Sequence, residues 1–440
     1  MRLRQNLVRA RGHIVFILGV IGGLMVVTWL EQAGPSAAGQ APVTPLAAIE
    51  AATPLPLAIR GASSAADLDH AAIAWTYFRN NTDPNTGLVH SVDGYPSTTM
   101  WETGSLIVAI VAAERVSLID ATEAKDRLAA ILTSLDRLPL FHDSLPNKAY
   151  DTRSLKMVDY ANRPTDLGLG WSALDVARLM AALAIARAAH PDMAPAIAAA
   201  TDDWRLDRMV RDGQLYGASV VDAEVRENQE GRLGYEQYAA KAMMLSGFDM
   251  VRAYDPADSA MIQPVMGQDI PVDTRLHRGR IPAFVVSEPY LFDGLEFGFD
   301  ARSSRIATAV YLAQQARHDQ TGHLTAVTET HLDEAPFFAY STVWGGGAPW
   351  SVLTFQGDRI DSRRTLATKA AFSWDALYGT PYTAQLVEAV VPTADPRRGW
   401  PEGIYEVDGT TNASITANTN ALVLAALAFK AAGPLLRGAP

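Results

Sequence analysis

The 440-residue chain contains no cysteine. That excludes a disulfide framework, a thiolate metal site and a cysteine nucleophile. Positive charge is also scarce, and the formal net charge is -11. With no basic stripe to neutralise phosphates, a nucleic-acid partner is excluded, and a strongly anionic polymer is a poor match. No G-x-S-x-G elbow, H-E-x-x-H pair, P-loop or dinucleotide fingerprint is present. The nine histidines fall at no metal-ligand spacing, and Gly345-Gly346-Gly347 lacks the lysine of a phosphate cradle. Neither a metal nor a cofactor is expected.

Long apolar runs are missing too, with one exception. Arg2, Arg4, Arg9 and Arg11 precede an uncharged apolar stretch over residues 14–30. That length just suffices to cross a bilayer, and the arginine excess puts the N-terminus on the cytoplasmic side. Residues 1–31 are therefore expected to form an anchor in the inner membrane or, if cleaved, a signal peptide. The rest of the chain would then lie at the periplasmic or extracellular face. Residues 32–64, rich in Ala and Pro, read as a tether. Residues 65–440 read as one folded domain.

In that domain two kinds of helix alternate. Residues 104–119, 172–189, 237–251 and 417–431 are apolar nearly all round, the pattern of a helix buried on every side. Residues 122–138 are amphipathic, with Leu128, Ile131, Leu132 and Leu135 on one face, and Asp120 with Glu123 predicts the N-terminal cap. Residues 194–210 form a more polar partner. Inner-helix starts recur at long, similar intervals, at Trp101, Trp171, Tyr235 and Leu295. Two more hairpins fit before a last inner helix near Thr416. The expected fold is all-α, an (α/α)6 toroid of six helical hairpins. Residues 261–298, with Pro264, Pro271, Pro282 and Pro289, and the β-prone stretches 280–286, 325–330 and 337–342 predict long loops and small β elements on one rim.

A Trp or Tyr beside a carboxylate or glycine precedes several of these helices. Aromatic faces stack on the apolar face of a sugar ring, and glycosidic cleavage needs two carboxyls flanking one bond. Their separation is ~5–5.5 Å for retention and ~6.5–9.5 Å for inversion. A toroid places such acids in the loops before its inner helices. The catalytic candidates are Glu288, Glu296, Glu402, Asp93, Glu102 and Glu236, with Asp159 and Asp293 as further acids at comparable positions. Each has a plain structural alternative. Glu102 and Glu236 suit the first turn of a helix, and Asp93 belongs to an Asp-Gly turn. The candidate sugar platforms are Trp101, Trp171, Tyr235, Tyr290, Trp400 and Tyr405, for which core packing is the alternative, as it is for Trp344 and Trp350. Arg275, His277, Arg278 and Arg280 form the one basic cluster.

Several motifs also carry a resemblance. They are residues 74–78, residues 86–102 with Ser91-Val92-Asp93-Gly94-Tyr95 at the centre, Gly170-Trp171-Ser172-Ala173-Leu174-Asp175, Gly399-Trp400-Pro401-Glu402-Gly403-Ile404-Tyr405-Glu406, and Asn418-Thr419-Asn420. Together they resemble a bacterial domain-of-unknown-function family, number three-one-three-one, over roughly residues 67–433. The resemblance implies a six-hairpin toroid similar to endo-β-1,2-glucanases and glucoamylase-like enzymes. It transfers no catalytic pair.

The function expected from these readings is an extracytoplasmic glycoside hydrolase or transglycosylase acting on a bacterial glucan or exopolysaccharide by carboxylate acid/base chemistry. One alternative is a non-catalytic glycan-binding scaffold of a polysaccharide export system. Another is a polysaccharide lyase, using the Arg275–Arg280 cations with Tyr235 or Tyr238.

Overall fold

The computed structural model describes residues 45–276, 281 and 283–436. The expected anchor, the first part of the tether, and His277, Arg278 and Arg280 lie outside these residues. Among the described residues no helix is long and apolar enough to cross a membrane.

Among the described residues thirteen helices organise the body: α1 (Pro45–Ala51), α2 (Ala65–Asn81), α3 (Met100–Arg115), α4 (Ala121–Asp136), α5 (Ala173–Ala189), α6 (Ala194–Ala199), α7 (Tyr235–Leu245), α8 (Val251–Tyr254), α9 (Glu288–Phe292), α10 (Ala301–Thr321), α11 (Thr368–Tyr378), α12 (Pro381–Val390) and α13 (Ala417–Ala432). A π-helical turn, Asp293–Phe297, continues α9. Six of them form a closed inner ring, in which α3, α5, α7, α9, α11 and α13 each pack on the next and α13 returns to α3. Outside it, α4, α6, α8, α10 and α12 each pack on the inner helix they follow, while α2 packs on α13. The first and last long helices thereby complete the sixth hairpin. This is the expected (α/α)6 toroid.

Local chemistry explains the two rings. Thirteen of the sixteen residues of α3 are buried, so it has no polar face to turn outward. In α4 only Ala124, Leu128, Ile131, Leu132, Ser134 and Leu135 are buried, one stripe facing the core. Asp120 caps α4 as its sequence predicts, its side chain accepting from the Glu123 amide at 2.9 Å. Arg115, at the C-terminal end of α3, donates to the carbonyls of Gly433, Pro434 and Leu435, fixing the last residues of the body to its first inner helix.

Some boundaries differ from the sequence reading. Residues 45–64 lie against the body instead of serving as a tether. Ile49 is buried, the Leu55 amide donates to Thr308 Oγ1 at 3.0 Å, and the Ala58 amide donates to the Leu377 carbonyl at 2.7 Å. The fourth inner helix begins at Glu288, ahead of Leu295, and a single inner helix, α11, precedes α13 where two more hairpins had room. Strand content also exceeds the expectation, with seven small sheets among the described residues. The Gln214–Val221/Glu224–Gln229 hairpin turns through Asp222 and Ala223, both at positive φ. Residues in that region match the twist of two-residue hairpin loops.

Candidate active site

The N-terminal ends of the inner helices, together with the loops that precede them, bring polar side chains to one end of the ring. Glu288 is the first residue of α9, Lys369 the second of α11 and Asn418 the second of α13. All three are buried, and Lys369 forms an ion pair with Glu288. Asn418 Nδ2 donates to Glu288 Oε1 at 2.9 Å. Glu402 enters from the strand Pro401–Tyr405 and accepts from Thr416 Oγ1 at 2.5 Å and Thr419 Oγ1 at 2.8 Å. The next residue has to be glycine. Gly403 sits at φ +148°, and a Cβ there would fall 2.0 Å from the Leu366 carbonyl oxygen.

Glu329 and His331 reach the same place from the three-residue strand Glu329–His331. Thr328 and Thr330 are fully buried, whereas Glu329 and His331 are half-buried, so the strand's alternation turns both side chains to one face. Burial and then the charge of Glu288 push the Glu329 carboxyl up to about 8. Burial holds His331 below its ordinary value. The charge balance accounts for the first shift. One buried ammonium, Lys369, faces the carboxyls of Glu288, Glu329 and Glu402. It can offset one of them, so this cluster retains protons at neutral pH.

A second acid group lies on the adjoining wall. Ser172 caps α5, and its hydroxyl is 2.9 Å from Asp175 Oδ1 and 2.8 Å from Glu230 Oε1. The Ala173 amide donates to Glu230 Oε2 at 2.7 Å. Burial, followed by the charges of Glu230 and Glu102, pushes Asp175 up to about 7. Lys148, which donates to Ser219 Oγ at 2.7 Å, counters those charges in part. Glu102 links the two groups, because its charge acts on both Asp175 and His331. Its carboxylate accepts from the Thr99 hydroxyl that also caps α3. The result is an acidic cluster at this end of the ring, from Glu329 past Glu102 to Asp175, which we take as the floor of the candidate cleft. Half-buried Trp101 and Tyr235 border it, their rings edge to face at 5.7 Å. Tyr160 is 70% exposed as a residue, and its phenol is raised by desolvation and then by the charges of Asp175, Glu230 and Glu102, which puts it near the same acids. Among the described residues no group of His, Asp or Glu is arranged to hold a metal ion.

The sequence candidates divide accordingly. Glu288, Glu402 and Glu102 come together at the cleft, with Trp101 and Tyr235. Glu296 instead lies inside the ring, ion-paired with Arg178 at 2.9 Å and accepting from the Tyr238 hydroxyl at 2.7 Å. The eight residues separating it from Glu288 carry it roughly 12 Å along the helix, away from the floor. Glu236 is buried against Arg275, which also pairs with Asp273 at 2.6 Å. Asp293 pairs with Lys241 at 2.6 Å. Asp93 pairs with Arg398 at 2.6 Å, and Asp159 with Arg163 at 2.6 Å. Four expected platforms are core residues that offer no face to a ligand. Trp171 is 1% exposed and donates to the Tyr216 carbonyl; Trp400 is fully buried and donates to the His70 carbonyl. Tyr290 is buried, and Tyr405 donates to Asp333 Oδ1 at 2.6 Å. Of the residues named for a lyase, Arg275 and Tyr238 are taken up in these buried pairs. Glu329, Asp175, Glu230, Lys369, His331 and Tyr160 are the cleft residues that sequence reasoning missed.

With this geometry in place, comparison with solved structures is informative about the fold. An endo-β-1,2-glucanase from Chitinophaga pinensis superposes with a TM-score of 0.61 at 12% identity, over 85% of this chain and 95% of that one. A glucoamylase-like protein from Bacteroides fragilis gives 0.61 at 14%, over 85% and 94%. The endo-β-1,2-glucanase from Talaromyces funiculosus, solved with sophorose, gives 0.55 at 12%, over 84% of each. At these identities the likeness establishes a shared glycosidase-type toroid. No protein of curated function matches the chain in sequence. The family model for the protein of unknown function DUF3131 matches residues 69–433, so the chain belongs to the DUF3131 family.

Proposed function

We propose that this protein is a glycoside hydrolase or transglycosylase acting on a bacterial glucan or exopolysaccharide, with Glu329 as the proton donor. The observation that carries the reading is the cluster of three carboxyls around one buried ammonium, in which half-buried Glu329 stands beside the Lys369–Glu288 pair with its carboxyl pushed up to about 8. A carboxyl that keeps its proton at neutral pH can donate it to a departing glycosidic oxygen. Lys369 pairs with Glu288, and the charge of Glu288 favours the proton on Glu329. Trp101, Tyr235 and Tyr160 provide ring faces for sugar stacking. Glucan-cleaving proteins on the same toroid support the substrate class. The expected setting is outside the cytoplasm, following the apolar N-terminal stretch.

The test is to incubate the purified protein with bacterial glucans, β-1,2-glucan among them, and exopolysaccharides, following reducing ends and product masses. New or cyclised products are expected from one polymer, and Glu329→Gln is expected to slow their formation by about 10²–10⁴-fold. Binding without any product would favour the scaffold reading, and an unsaturated product absorbing in the ultraviolet would favour a lyase.

A further inference from the structure

Between Asp175 and Glu230 stands a single hydroxyl. Ser172 Oγ lies within hydrogen-bond distance of both carboxyls and has one proton to give. If both acids were ionised, one would face the oxygen with no proton between them. Glu230 is the better-satisfied anion, because the Ala173 amide at the start of α5 also donates to it. The titrating member is therefore Asp175, which is half-buried. The strand opposite is cut to fit this pair. Gly217 does not occupy the left-handed region, yet a Cβ on it would fall 2.1 Å from Glu230 Oε2. Its missing side chain makes the seat for the Glu230 carboxylate.

We propose that Asp175 is the second catalytic carboxyl, the base that activates water, and that Ser172 and Glu230 are its positioning residues. This deepens the glycosidase reading above and rests on it. The competing acid, Glu102, is 8% exposed and engaged by the Thr99 hydroxyl, so it is the less accessible of the two. In the step, the Asp175 carboxylate takes a proton from water as the water oxygen bonds to the anomeric carbon. The glycosidic C–O bond breaks, its electron pair goes to the leaving oxygen, and that oxygen takes the proton of Glu329. One water is added, and solvent restores both carboxyls. The groups facing Asp175 are Glu230, Glu102, Lys148 and the Tyr160 phenol. A base poised near neutrality between them suits such a step.

The experiment uses the native protein and its Asp175→Asn and Glu230→Gln variants with β-1,2-glucan and the same polymer panel, recording kcat, KM and pH profiles. Asp175→Asn is expected to lower kcat about a thousandfold while KM stays within a fewfold. Removing the Glu230 charge should lower the Asp175 pKa, so Glu230→Gln should move the acidic limb of the profile to lower pH. A merely structural role would not move that limb. Cleavage that survives Asp175→Asn, or an unmoved limb in Glu230→Gln, overturns the inference alone. A native protein that cleaves none of the polymers overturns the glycosidase reading, and the inference with it.

Discussion

Two buried cations stand in the inner ring, Arg178 on α5 and Lys369 on α11, 0% and 3% exposed respectively. Arg178 is ion-paired with one carboxylate, Glu296, and feels the charge of Glu288 more weakly. Glu296 takes both of its terminal nitrogens, the Tyr238 hydroxyl completes the set, and the Phe292 ring lies 4.4 Å from the guanidinium. Lys369 faces three carboxyls, those of Glu288, Glu402 and Glu329. Burial is the same in both places, so it does not distinguish structure from function. Charge balance does. A charge-balanced pair stays fixed, whereas a cluster with more acids than bases has to hold protons that it can release.

The comparison can be broken from the balanced side first, where the effect is largest. Arg178→Met leaves Glu296 buried without its counter-ion and should cost about 3–5 kcal/mol in denaturant unfolding. Replacing both partners by Met and Leu should restore most of that loss. The unbalanced cluster predicts a smaller, pH-dependent effect. Glu329 has its pKa raised on folding, so the folded state binds its proton more tightly than the unfolded chain does. The stability that this confers is fully present below the ordinary carboxyl value and is lost as pH rises through about 8. Glu329→Gln does not titrate. Relative to the native protein it should therefore gain stability, up to about 4 kcal/mol, between pH 5 and pH 8.5, measured by urea melts.

The same contrast explains what the sequence disclosed. Helices such as α3 and α4 are legible because burial on all sides and burial on one stripe leave different periodicities. Glu102, Glu288 and Glu402 are legible because they sit at helix starts or beside Gly and Pro. Local spacing cannot tell Glu288 from Glu296, which share one acid-rich segment and differ only in which distant cation meets them. Asp175 is hidden by its own cap: Ser172-x-x-Asp175 reads as a capping box, and the neighbour that changes its chemistry, Glu230, arrives from another loop. Glu329 lies on a short strand inside the long connection between α10 and α11. The β-prone reading of 325–330 touched it, and its alternation with buried Thr328 and Thr330 was the available signal. Trp171 and Trp400 misled for the converse reason, since a tryptophan beside a glycine looks the same whether its ring faces a ligand or the core.

The smallest effect sharpens the comparison most, because it moves one charge and leaves the fold alone. Glu288 raises Glu329 through its own ionisation, after burial the largest influence on that carboxyl. Glu288→Gln removes this repulsion, and the Asn418 amide can still meet the side-chain oxygen that accepts from it now. Lys369 then loses its ion-pair partner and acts more strongly on Glu329, in the same direction. Both changes lower the pKa of the proton donor. The alkaline limb of the activity profile should therefore shift to lower pH, with the acidic limb, assigned to Asp175, held in place. A profile unchanged on the alkaline side would mean that Glu329 is not the donor. Movement of both limbs together would mean that the two acid groups titrate as one.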